Sequence, residues 1–180
     1  MNEDIEEINN LIKNEVENVD YLKGMEIVLE SFSAKIMDVF GKNTLLSMLY
    51  QIGAKTGEII AKRIKREHKK EIFEPLEAIG IFFKEVKGFF CVEVKNIEED
   101  ENYIRIYLKN HCFFRDAMNN RAGLVPGKML CRINKGYFEF ALLNLVKPVY
   151  NKVDMSLVEN DEANDCCIEC LSFKKAKEEE

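Results

Sequence analysis

The chain has 180 residues, 47% of them hydrophobic and 32% charged, with nine glycines and three prolines. These proportions exclude a disordered chain or a loop-built scaffold and leave room for one well-filled core. A formal net charge of −6 and a pI of about 5.2 exclude a general electrostatic footprint for nucleic acid.

The acidic start, "MNEDIEEINN", has neither the basic nor the apolar region of a signal peptide, and no apolar run reaches bilayer length. We therefore expect a cytoplasmic protein with no transmembrane segment. Residues 1–20 read as an acidic, helical N-terminal extension, 21–175 as one domain and 176–180 as a charged tail. Six cysteines in a reducing compartment suggest thiols or metal ligands. A thermophile-like abundance of Lys, Glu and Ile keeps disulfides open as well.

Tyr21, Met25, Val28, Leu29, Phe32, Ile36, Val39 and Phe40 recur at spacings of three and four, which predicts a long helix ending at Gly41. Asn43-Thr44 offers a cap for a second helix, carried by Leu45, Leu49, Ile52, Ile59, Ile60 and Ile64. It runs into the basic cluster "KRIKREHKK", where cations complement the dipole end. A third helix is predicted over about 73–86. From Gly88 the period becomes two: "FFCVEV" (89–94) and "YIRIYL" (103–108) read as a hairpin split by an acidic turn. A loop leads to a fourth helix over about 126–145, with Pro126 in its first turn. "PVYNKVDMSLVE" and "CCIECLSF" form a second hairpin across "NDEAND". The pattern is α+β: long helices on one face of a small, four-stranded antiparallel sheet.

Strand alternation places Cys166, Ile168 and Cys170 on one face and Cys167, Glu169 and Leu171 on the other, which splits the apparent CxxC of Cys167 and Cys170. A redox pair at a helix N-terminus or a zinc knuckle in a tight turn has no counterpart here. A metal site would have to gather His111, Cys112, Cys131, Glu159 and Cys166 or Cys167 from separate segments, and zinc accepts such a mixed set. The alternative is that Cys91, Cys131 and Cys170 are small hydrophobes in the core.

Cys131 with Gly136-Tyr137 five residues on, the run "LVENDEANDCCIEC", and Asn110-His111-Cys112-Phe113-Phe114 together resemble the 4-vinyl reductase domain. That family also supplies the sensory domain of phenol-responsive bacterial regulators and small archaeal proteins. The match covers about residues 75–175. It departs from the pattern at two places: Glu159 stands nearest the sensors' loop cysteine, and Asn164-Asp165 replaces a Gly-Asp turn. The resemblance implies a fold shared with a vesicle-tethering subunit, an apolar cavity between helices and sheet, and a small hydrophobic ligand. It also implies a structural zinc ion, for which residue 167 fits the family's spacing from 159, whereas 166 fits the strand parity set by Ile168.

Twelve phenylalanines and no tryptophan give flat apolar walls. Phe83, Phe113 and Phe138 are the candidate ligand contacts. No GxGxxG, P-loop, GxSxG or HExxH motif is present, so catalysis has no visible carrier. The expectation is a module binding a hydrophobic or aromatic ligand in a sensor or regulatory role. Its alternatives are a reductase acting on such a molecule and a structural adaptor that forms a homodimer.

Overall fold

In the computed structural model of the chain the described residues are 21–112, 114–115 and 130–176. The acidic extension, Phe113, Asp116, Pro126 and most of the charged tail lie outside them. By compactness the chain divides into one unit up to Lys35 and another from Ile36 onward.

In the first unit the described residues belong to helix α1 (Tyr21–Phe40). Its apolar stripe is largely exposed, with Met25 at 67% and Phe32 at 51%, so helical periodicity here does not mean burial. Ser31 and Ser33 donate their hydroxyls to the carbonyls of Ile27 and Leu29 one turn back, which keeps these polar side chains within the helix.

In the second unit Gly41, at φ 81°, breaks α1 from α2 (Lys42–His68). This conformation favours glycine. The break and not an Asn43-Thr44 side-chain cap starts the helix, because Gly41 occupies the cap position. Lys69 closes α2 in the left-handed region, just past the basic last turn of Lys65, Arg66 and His68. Pro75 opens α3 (Pro75–Glu85). The Phe73 amide donates to the Leu145 carbonyl, fastening the α2–α3 connection to α4 (Cys131–Val146).

The sheet is four-stranded and antiparallel in the order β1-β2-β4-β3: β1 (Phe90–Glu99), β2 (Tyr103–Cys112), β4 (Cys166–Lys175), β3 (Tyr150–Asp161). The first hairpin is longer than the apolar runs suggest. Asn96–Glu99 pair with Ile104–Tyr107 although three of the four are polar and Ile97 is exposed, because an exposed edge strand needs no hydrophobic alternation. For the same reason Cys91 is exposed on that edge and is not a core residue.

One face of the sheet carries Ile106, Leu108, Val153, Met155, Leu171 and Phe173 into the core, where α3 adds Ile79 and Phe82 and α4 adds Phe138, Leu142 and Leu145. Helix α2 meets α4 through small residues. A methyl group added at Gly53 would strike the Ile133 carbonyl, at Gly57 the Tyr137 carbonyl, and at Gly136 the Tyr50 carbonyl. The two backbones can approach this closely only because those side chains are missing. A smaller cluster of Ile36, Leu45, Leu49 and Ile133 seals one end of that seam.

Candidate functional site

The seam fixes α4 and so fixes which of its side chains turn toward the second hairpin. Cys131, Lys135 and Glu139 are spaced by four and stack along one helix face. That face meets β3, an edge strand, whose outer backbone groups have no neighbouring strand. Glu139 accepts from the Met155 amide at 2.8 Å, while Lys135 Nζ donates to the Met155 carbonyl at 2.5 Å. The helix thereby supplies side-chain partners where a fifth strand would supply backbone. Glu139, buried, also accepts from the Tyr50 hydroxyl at 2.6 Å and pairs with Lys135 at 2.7 Å. Burial, and then the Glu139 carboxylate, push the Tyr50 hydroxyl pKa well above its ordinary range.

Held apart by these long side chains, α4 and the hairpin leave two hollows. The larger, about 490 Å³, is an open cleft walled by Leu46, Tyr50, Phe140, Leu143 and Val153, with Lys152 and Asp154 beside them. The smaller, about 230 Å³, lies between Cys131, Met155, Leu157, Cys167 and Glu169. Arg132 and Lys135 line both, so the two adjoin as one groove.

The polar wall of the smaller hollow is Glu169, 5% exposed, whose Oε2 accepts from Asn110 Nδ2 at 2.8 Å. Burial raises its carboxyl to about 7, and the Asn110 hydrogen bond partly offsets the rise. Asn110 Oδ1 is buried and has no hydrogen-bond partner among the described residues. Burial, with the nearby Cys131, Glu169 and Cys167, pushes the Cys112 thiol up to about 12. Burial and then Glu169 raise Cys167 to about 11, against the lowering effect of Arg115.

Arg115, itself buried, closes the far side. It donates to Asp165 Oδ1 at 2.5 Å, Asn160 Oδ1 at 3.0 Å, Cys167 Sγ at 3.2 Å and the Asp161 carbonyl at 3.3 Å. It thus ties the β3–β4 turn, in which Asp165 has φ 49°, to the end of β2.

Of the residues expected to bind metal, the structure brings Cys112, Cys131 and Cys167 within electrostatic reach of one another, and adds Glu169. The other three fall on the opposite face of the sheet by alternation. Glu159 pairs with Ile168 after a bulge and is exposed. Cys166 neighbours Cys167 and points the other way. His111 pairs with Cys91 and stands 3.9 Å from Asp165 Oδ2, in a separate hollow of about 300 Å³ that Cys112 also lines.

Three thiols and a carboxylate are zinc-type donors. As arranged they do not fit one ion: among the described residues no three His, Cys, Asp or Glu side chains stand where a metal could be held. Burial favours the neutral thiols, and the Arg115 guanidinium already occupies Cys167.

Of the aromatic candidates, Phe83 and Phe138 lie among the described residues. Phe138 is fully buried, and its ring packs edge-on against Phe82 at 5.6 Å, Phe83 at 5.2 Å and Phe90 at 4.8 Å. Phe83 and Phe138 therefore pack against other core rings and line none of the three hollows described above. Sequence reasoning missed Glu169, Tyr50, Lys135 and Glu139. The one available signal was a glutamate on the same strand face as Leu171.

No protein-family model matches the chain, and no curated protein is similar to it in sequence. Solved structures do match. One is the phenol-responsive sensory domain of the transcription activator PoxR with phenol, at a TM-score of 0.56 and 12% identity, covering 83% of this chain and 74% of that one. Another is trafficking protein particle complex subunit 3 from Naegleria fowleri, covalently bound to palmitic acid, at a TM-score of 0.54 and 14% identity, covering 88% and 98%. At these identities the likeness shows a shared α+β fold, helices on a four-stranded antiparallel sheet.

Proposed function

We propose that the chain is a small-molecule-binding module with a sensor or regulatory role, and that its ligand lies in the groove between α4 and the β3–β4 hairpin. The observation that carries this reading is the smaller hollow: apolar and sulfur-bearing walls at Cys131, Met155, Leu157 and Cys167 close around a single buried carboxyl. Apolar walls with few placed polar groups are the general form of a ligand site. The fold supports the reading, since one similar structure holds phenol and the other palmitic acid. The test is a melting-temperature screen of single-ring aromatics and long-chain fatty acids. A binder present at 100 times its Kd stabilises by about 2.7 kcal/mol and raises the melting point. A screen in which neither class shifts it would overturn the proposal.

A second reading, association of two copies as a homodimer, is favoured by the exposed apolar stripe of Met25, Val28, Phe32, Val39 and Phe40 on α1. Sedimentation of wild type against Val28→Glu/Phe32→Glu distinguishes it: a dimer that becomes a monomer supports it, and a monomeric wild type rejects it.

A further inference from the structure

The groove has a chemical polarity that narrows its ligand, and the following rests on the binding function proposed above. At the buried end stands Glu169, held by Asn110, with the orphaned Asn110 Oδ1 behind it. A buried amide oxygen without a partner is costly, and so is a buried carboxyl with one hydrogen bond. The Glu169 carboxyl lines the hollow and, once ionised above about pH 7, only accepts, so at pH 8 the buried end calls for a donor from the ligand.

At the mouth stand Lys135 and Arg132. Lys135 is committed to Glu139, Asp154 and the Met155 carbonyl. Arg132 is exposed and sits where the two hollows meet. Two cations at the entrance disfavour a positively charged guest, so the donor should come from a neutral hydroxyl rather than an ammonium. A guanidinium at the mouth matches a carboxylate, which it can hold through two parallel hydrogen bonds. The hollow is about 230 Å³. An apolar cavity of about 150 Å³ accepts one benzene ring, so this one has room for a single substituted ring.

We infer that the groove recognises a hydroxylated aromatic acid, its ring between Cys131, Met155, Leu157 and Cys167, its hydroxyl donating to Glu169 and its carboxylate on Arg132. Glu169 then reads the hydroxyl and Arg132 the acid, and neither phenol nor benzoate satisfies both.

Calorimetric titration at pH 8 with 4-hydroxybenzoate, phenol and benzoate tests this on wild type, Glu169→Gln and Arg132→Gln. Wild type should bind 4-hydroxybenzoate about tenfold more tightly than either of the others, the usual worth of one charge-assisted hydrogen bond. Glu169→Gln should lose the preference over benzoate and keep the preference over phenol, and Arg132→Gln should do the reverse. Should Glu169→Gln fail to fold, the wild-type ratios and the exposed Arg132→Gln variant decide alone. Equal affinity of the three probes for wild type would overturn this inference and leave the binding module standing. If none of the three binds while long-chain fatty acids shift the melting temperature, this inference falls and the module remains. No binding by either class overturns both.

Discussion

On one side of α4 the backbone of α2 lies in direct contact, with glycines at the crossing. On the other side β3 stands off behind Lys135 and Glu139, and the gap between them is the groove. The same helix thus has a face where shape alone decides and a face where hydrogen bonding decides. Small residues remove all slack on the first. Long, paired polar residues create a space on the second and keep it from collapsing, because closing it would break the bonds that Lys135 and Glu139 make to Met155 and Tyr50. Rigidity on the seam side is what allows the groove side to remain open.

The largest expected effect breaks the seam. Gly136→Val, which drives a branched side chain into the Tyr50 carbonyl, should cost about 3 kcal/mol or more in urea denaturation. A loss of less than about 1 kcal/mol would mean that the two helices can slide apart, and that the groove's width is not set by their contact.

Next comes pH. The Glu169 carboxyl moves from an ordinary 4.5 to about 7 in the folded protein. The folded state therefore holds this proton more tightly than the unfolded chain. Its contribution is full below about pH 4.5, declines as pH rises to about 7, and stays level above that, for a total of about 3 kcal/mol. Cys112 and Cys167 titrate far above this window, and Cys167 lines the same hollow as Glu169, with Arg132 and Lys135 beside it. Comparing wild type with Glu169→Gln over pH 4–8 isolates the term. Parallel stability curves would show that the carboxyl is solvated.

Glu139→Ala strips the acceptor from Tyr50 and from the Met155 amide together. We expect a loss of about 2 kcal/mol, with the β3 amides near 155 exchanging faster in hydrogen-exchange measurements. Unchanged exchange at Met155 would remove the helix as the partner of that sheet edge.

The smallest expected effect concerns metal. Chelation should leave the melting temperature unchanged, since the donors do not converge on one point. Stoichiometric zinc in purified protein, lost together with several degrees of melting temperature on chelation, would instead require Arg115 to release Cys167 and would make Cys112, Cys131, Cys167 and Glu169 the ligand set.

How much of this was legible in the residues depends on which interactions are local. Helix periods, the two hairpins and the one-sided sheet follow from spacing, and they appear where spacing placed them. The reach of β1 to Glu99 did not, because an edge strand is specified by its neighbour's hydrogen bonds and not by its own side chains. The site was partly legible. Cys131, Cys167 and Cys112 do approach one another, since strand parity and helix position together bring them there. Glu159, Cys166 and His111 were separated from them by the same parity, once a bulge between Leu157 and Glu159 fixed the register. That Phe83 and Phe138 pack on one another and on Phe82 was not legible in the sequence, because an aromatic side chain packs equally well against a ring of the protein or of a guest. Lys135 and Glu139 look like an ordinary solvated i,i+4 ion pair until the edge strand beneath them is known.

The open sheet has a further consequence. Both of its outer strands, β1 and β3, carry register irregularities, between Val94 and Asn96 on one and at Tyr150/Lys152 and Leu157/Glu159 on the other. Along β1, the charged Glu93, Lys95, Glu98 and Glu99 surround the exposed Val94 and Ile97. Kinked, charged borders are poor templates for another chain's backbone, so the sheet resists growing strand by strand into a fibre. Neutralising that border, for instance with Glu93→Val/Lys95→Val/Glu98→Val, would leave the core untouched and promote aggregation through the rim.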